Sequence, residues 1–224
     1  PTKLDPKFVI AAVPKRSSYR DVIVTNSHSS FKTFPVSPTI ATGSLRRELQ
    51  IKSLFNDTKI VDVRGNIITR LDKLKKYDWD GLVMAEAAIK RLGLDIDYLP
   101  LSKDDITPAA GQGALAVQIN SVNSKLLKIL DKINHKPSFD AVKIEREIVD
   151  KLEGGCKVPV GCLVRIFKNE INIDAYLSNP DGSKVIRIAN SGKVKECKKL
   201  IEHTILAFHD EGADKIIESN RKLN

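Results

Sequence analysis

Between Thr39 and Gly93, short apolar runs alternate three times with helix-length segments. This alternation restricts the possible folds more than any other feature of the chain. Thr39–Thr42, Lys59–Val63 and Gly81–Met84 read as strands, and each leads directly into a helix start. Gly43-Ser44 opens a helix to about Leu54. Gly65-Asn66 caps a second helix, with Ile67, Leu71 and Leu74 at helical spacing. Ala85–Leu92 is a third helix, stopped by Gly93. Strands alternating with helices about ten residues long require crossover connections, and therefore predict a parallel sheet of the α/β class.

The flanking segments are less regular. Phe8–Val13 reads as a buried strand ending at Pro14, and Arg20–Thr25 suits a helix or a strand equally. Ile106–Ala110 and Ala114–Ile119 flank Gly111-Gln112-Gly113, and the second is short and apolar like a buried strand. Leu126–Ile133 is helical, and Asn134–Ser138 is a linker. Ser138 caps a helix over Phe139–Leu152, with Ala141, Ile144, Ile148 and Leu152 along one face. The pattern then changes. Val164–Phe167, Ile171–Leu177 and Lys184–Ala189 read as three strands, with a strong turn at Asn179-Pro180-Asp181-Gly182. Ile171, Ile173, Ala175 and Leu177 alternate as a half-buried antiparallel strand does. Val194–Phe208 closes a small α+β module as a helix, its apolar stripe including Cys197. The expected organisation is a first-domain remnant (1–14 and 106–120), an α/β domain (15–105), a helix and linker (121–137) and a C-terminal α+β domain (138–224).

The formal charge of +9 calls for an anionic partner. Only 5% of residues are aromatic and none interleave with the basic ones, which argues against a single-strand stacking platform. No contiguous basic helix or nucleic-acid module stands out either. Lys195, Lys198 and Lys199 read as a solvated surface. No apolar run approaches the ~18–20 residues of a membrane span, so no membrane partner is expected. Pro1–Arg20 holds no signal-type apolar core. The three cysteines, Cys156, Cys162 and Cys197, form no CxxC pair and lie far from the histidines, so neither zinc nor a disulfide framework is expected. A reducing, cytoplasmic setting fits, as does an organelle interior.

Three clusters carry possible chemistry. Ser44, Arg46 and Arg47 lie where a helix begins after a strand, Arg64 follows the next strand, and Arg70 and Arg91 sit on the succeeding helices. Residues beyond the carboxyl ends of parallel strands line ligand crevices, helix starts attract anions, and arginine grips carboxylates with two donors. The residues alone leave an alternative open: scattered surface arginines whose ion pairs contribute about 0–1 kcal/mol. Cys156, in Leu152-Glu153-Gly154-Gly155-Cys156-Lys157-Val158-Pro159-Val160-Gly161, lies on a tight loop between helix and strand. It is either an accessible thiol or an ordinary small residue. Gly111-Gln112-Gly113 permits a special turn or a close backbone approach.

In this order and spacing, Ala41-Thr42-Gly43-Ser44-Leu45-Arg46-Arg47, Val63-Arg64-Gly65-Asn66-Ile67-Ile68-Thr69-Arg70, Ala109-Ala110-Gly111-Gln112-Gly113-Ala114 and the Cys156 loop resemble the porphobilinogen deaminase (hydroxymethylbilane synthase) family. The resemblance runs from about Pro1 to Lys222. It implies an α/β unit like half of a type II periplasmic-binding-protein fold, followed by a small α+β domain. It implies a transferase of heme (porphyrin, tetrapyrrole) biosynthesis that condenses four porphobilinogens on a dipyrromethane primer, releasing ammonia and 1-hydroxymethylbilane. On the same basis Cys156 carries the primer as a thioether. Ser44, Arg46, Arg47 and Gln112 contact the cofactor, and Arg64, Asn66, Arg70 and Arg91 the substrate. Each pyrrole brings an acetate and a propionate, which suits an arginine-lined cleft. The family's general-acid aspartate would lie before Pro1, so no catalytic residue is assigned here, and Asp5 and Asp21 fall after that position in register. The segment bearing it is expected as a separate piece or a lost one. The alternative function is a non-enzymatic binding module for an acidic small molecule, which needs no Cys156. A charge-driven nucleic-acid binder would instead show steep salt dependence.

Overall fold

The alternation from Thr39 to Gly93 folds as the sequence predicts, and the sheet it builds is mixed. The structure is a computed structural model that describes residues 5–55, 57–152 and 158–222. They divide into two units: Ser18–Pro108, and the segments on either side of it.

In the first unit, β2 (Asp21–Val24), β3 (Thr39–Ala41), β4 (Lys59–Val61), β5 (Gly81–Ala85) and β6 (Tyr98–Pro100) form one sheet in the order β4-β3-β5-β2-β6. β4, β3 and β5 are parallel, as expected of strands separated by helices. β2 runs against both neighbours, so Asp21 lies opposite Ala85 at the carboxyl end of β5. Helices α1 (Leu45–Leu54), α2 (Ile67–Lys76) and α3 (Glu86–Leu92) supply the two outer layers. Val22, Val24, Leu82 and Met84 pack with Leu71, Leu74 and Ile89 from α2 and α3. On the other face Ile23, Ile40 and Val83 pack with Ile51 of α1 and with Leu101 and Ile106. The period-two alternation of strand side chains separates these two cores.

The second unit contains β1 (Phe8–Ala12) and β7 (Val117–Asn120), paired antiparallel as a two-stranded sheet. These were expected as buried strands. In the structure most of their residues are half-buried or exposed, because two strands enclose no second layer. Next come α4 (Ser124–Leu130) and α5 (Lys136–Lys151), then β8 (Val160–Phe167), β9 (Glu170–Ser178) and β10 (Val185–Lys193), and last α6 (Cys197–Asp210) and α7 (Ala213–Lys222). The strands form an antiparallel sheet β10-β9-β8. Cys162, Val164, Ile171, Ile173, Ala175 and Leu177 present one face to Ile144 and Ile148 of α5 and to Leu200, Ile201 and Phe208 of α6. The last helix, α7, was not anticipated. Helix α5 begins earlier than expected: His135 is its N-cap, accepting from the Ser138 amide. The Ser138 hydroxyl instead accepts the Arg16 amide at 2.9 Å. Among the described residues no helix is long and apolar enough to cross a membrane.

Candidate anion-binding site

At the carboxyl edge of the first unit's sheet, a glycine sets the geometry. A Cβ on Gly43 would lie 2.7 Å from the Val63 carbonyl oxygen and 3.6 Å from Arg64 Nε. Only glycine lets the turn after β3 approach the end of β4 this closely. The Ser44 turn and Arg64 are thereby brought together. Ser44 is the N-cap of α1, and its side chain makes no capping hydrogen bond. A cleft of about 450 Å³ lies here, with Thr42, Gly43, Glu48, Asp62 and Arg64 in its wall.

Arg46 and Arg47 converge on one carboxylate, that of Asp21 in the first position of β2. Arg46 Nη1 donates to Oδ2 at 3.0 Å. Arg47 donates to Oδ1 from Nε at 3.0 Å and from Nη2 at 2.7 Å. Arg46 Nη1 also donates to the Thr107 carbonyl at 2.7 Å. Gln50 holds Thr107 from the other side: its Oε1 accepts the Thr107 amide at 2.9 Å. Asp21 is fully enclosed, and the arginine side chains are 7% and 14% exposed. Burial works to raise the Asp21 carboxyl, but Arg47 and Arg46 beside it prevail and hold it below its ordinary value.

The other arginines of the edge are more open. Arg64 pairs with Asp62 at 3.1 Å, both exposed. Arg70 Nε donates to the Gly65 carbonyl at 2.7 Å, tying its own helix start. Asn66, expected to contact substrate, spends its side-chain oxygen as the cap of α2, accepting from the Thr69 amide at 2.9 Å. Arg91 is exposed in the last turn of α3. Glu86, at the start of α3, accepts from the Ser18 hydroxyl, from Tyr98 Oη at 3.1 Å and from Lys90 Nζ at 2.6 Å.

Gln112 belongs to the second unit. Gly111 and Gly113 both have positive φ, 73° and 80°, the special turn that the sequence suggested. Arg16 Nε donates to the Gln112 carbonyl at 2.9 Å. Glu145, fully enclosed on α5, accepts from Arg16 Nη1 at 2.5 Å, from the Gly111 amide at 2.6 Å and from the Val164 amide at 2.8 Å. Cys156 lies outside the described residues. Cys162 is wholly buried in β8, and burial, then Glu145, push its thiol well up. Cys197 packs half-buried against the same core. For Cys197 this fits the apolar stripe read from sequence. Among the described residues no group of three His, Cys, Asp or Glu is arranged to hold a metal ion.

Sequence reasoning passed over Asp21, Arg16 and Glu145. Two signals were available. Asp21 opens the apolar run Asp-Val-Ile-Val, and Glu145 follows Ala141 by four positions on the buried face of α5. A carboxylate in either place needs a cation.

A carboxylate-bearing group fits the donor set at the sheet edge: two fixed guanidiniums share a single acid, and Ser44 and Arg64 stand at the adjoining turns. Two family models match the chain. One is described as porphobilinogen deaminase, dipyromethane cofactor binding domain, over residues 1–128. The other is described as porphobilinogen deaminase, C-terminal domain, over residues 139–205. The porphobilinogen deaminase of Campylobacter jejuni subsp. jejuni serotype O:6 is 36% identical over 220 residues, covering 96% of this chain and 71% of that protein. That of Syntrophomonas wolfei subsp. wolfei is 36% identical over 225 residues, covering 99% and 73%. That of Aliarcobacter butzleri is 32% identical over 227 residues, covering 100% and 72%. The solved substrate-binding protein of an amino acid ABC transporter is similar at 22% identity and a TM-score of 0.32, over 62% of this chain and 63% of that one.

Proposed function

The chain belongs to the porphobilinogen deaminase family, and from that premise we propose that it is a hydroxymethylbilane synthase of tetrapyrrole biosynthesis. It joins four porphobilinogens head to tail on a dipyrromethane primer and releases ammonia and 1-hydroxymethylbilane. The observation that carries this proposal is that both family models match, with relatives aligned along almost the whole chain.

The site's own residues supply binding and orientation. Arg46 and Arg47 are held in fixed directions, and Arg47 keeps Nη1 for an acetate or propionate carboxylate. Arg64, exposed beside the Ser44 turn, and Arg70 extend the positive edge along which a growing acidic chain is held. Their modest, solvent-screened grip suits a product that must shift at each cycle. Ser44, Asn66, Arg91 and Gln112 complete the contact set in this reading, with Asn66 acting through the start of α2. Cys156 anchors the dipyrromethane as a thioether. When bound, that group supplies the free pyrrole carbon to which new units are joined. The reaction belongs in a reducing compartment such as the cytoplasm, where a thiol anchor persists.

The test is intact mass under denaturing conditions together with assay of porphobilinogen consumption. A dipyrromethane-sized adduct on the chain carrying Cys156, lost in Cys156→Ser along with turnover, is the expected result. Turnover that survives Cys156→Ser, or binding of the acidic ligand without reaction, defeats the proposal.

A further inference from the structure

We infer that Asp21 is a positioning residue: it fixes the directions of Arg46 and Arg47, so that the pair meets a ligand carboxylate end-on. The inference rests on the reading of those two arginines as ligand-binding. It starts from an electrostatic difficulty. Adjacent guanidiniums on consecutive residues at a helix start repel each other and tend to splay toward water. Here they do not splay, because one carboxylate lies between them, Oδ2 on Arg46 and Oδ1 on Arg47.

Asp21 is itself held rigidly. It pairs with Ala85 across β2 and β5, and its carbonyl accepts the Leu101 amide at 3.0 Å. Its side chain has no exposure to solvent. The two arginines then differ in role. Arg46 is turned inward, its Nη1 shared between Asp21 and the Thr107 carbonyl. Arg47 commits its Nε–Nη2 edge to Asp21 and keeps the Nη1 end directed away from that oxygen. Preorganised donors of this kind bind without first reorienting.

The alternative role for Asp21 is to dampen charge, and the two roles predict opposite signs. Asp21→Asn preserves shape and adds one positive charge to the site. If Asp21 only dampens, porphobilinogen binds more tightly and KM falls. If it positions, the arginines reorient and KM rises by about tenfold, with kcat changed less. The experiment is steady-state kinetics on the full-length holoenzyme with porphobilinogen, alongside unfolding midpoints. Arg47→Lys is the companion variant, which keeps a cation beside the enclosed Asp21 at a position 14% exposed. Lysine keeps the charge but cannot bridge Asp21 and a ligand with a planar fork. Its KM is expected to rise comparably, and Asp21→Asn added to it is expected to raise KM no further. A KM that falls or stays level in Asp21→Asn overturns the inference, as does a wild-type KM in Arg47→Lys. Should Asp21→Asn not fold, Arg47→Lys alone decides. Arg47→Gln separates the underlying reading: unchanged KM there, with an unchanged dipyrromethane-sized adduct by intact mass, means that the pair binds neither substrate nor cofactor. A raised KM there, with Asp21→Asn and Arg47→Lys normal, removes the positioning role only.

Discussion

Asp21 and Glu145 are both carboxylates with no exposed side-chain surface, and both are held by arginine, yet the surroundings drive them in opposite directions. Asp21 faces two guanidiniums and is kept ionised below its ordinary range, because together they outweigh its burial. Glu145 has one guanidinium and the backbone amides of Gly111 and Val164. Burial outweighs these, and its carboxyl is raised. The Glu145–Arg16 pair sets one carboxylate against one guanidinium. It ties three chain segments, the stretch after β1, the Gly111 turn and the edge of β8. The Asp21 cluster instead sets one carboxylate against two guanidiniums at the sheet edge. A balanced buried pair fastens backbone, whereas an unbalanced one is suited to a ligand.

The largest expected effect comes from breaking the balanced pair. Glu145→Ala leaves the Arg16 charge and two amides without their acceptor, at a cost of about 3–5 kcal/mol. Urea unfolding of this variant against wild type measures it. A loss below that of an ordinary surface substitution would mean that Glu145 is not a structural tie.

Acid response sharpens the contrast, since the two groups have opposite signs. The folded-state pKa of Asp21 is lowered, so its contribution is fully present above the ordinary value of 3.8 and is lost as pH falls from there through the lower folded value. The folded-state pKa of Glu145 is raised, so its contribution is greatest below the ordinary value of 4.5 and declines as pH rises from there through the higher folded value. Unfolding midpoints across acid pH should therefore lose the higher-pH decline in Glu145→Gln. They should lose part of the lower-pH decline in Asp21→Asn. Unchanged profiles in both variants would refute the assigned directions.

The smallest effect belongs to a third carboxylate at the same sheet edge. Asp62 pairs with Arg64 in the open, both more than half exposed. Asp62→Ala should change stability by less than about 0.5 kcal/mol, because solvent already screens that pair. A substantial loss in the same urea assay would mean that exposure does not separate these sites as argued.

The site was partly legible before folding was considered. Ser44, Arg46, Arg47 and Arg64 fall at turns after strands, and the structure sets Arg64 beside the Ser44 turn. Asn66 was read as a helix cap and as a substrate contact, and the structure uses its oxygen as the cap. The anions that orient the cations were not legible. Asp21 lies 25 residues from Arg46, and Arg16 lies 129 from Glu145. No local pattern joins residues so far apart.

Sequence alone determined the α/β alternation, the caps at Gly43-Ser44 and Gly65-Asn66, and the buried face Ile171, Ile173, Ala175 and Leu177. These depend on periodicity and on backbone groups within one turn of each other, and such forces act along the chain. Only the tertiary structure decided that β2 runs against its neighbours, that His135 rather than Ser138 caps α5, and that Asp21 serves two arginines while Glu145 serves one. Periodicity tells a residue which way to face. What it meets there depends on where the rest of the chain has packed, and for a buried charge that meeting determines both its ionisation and its use.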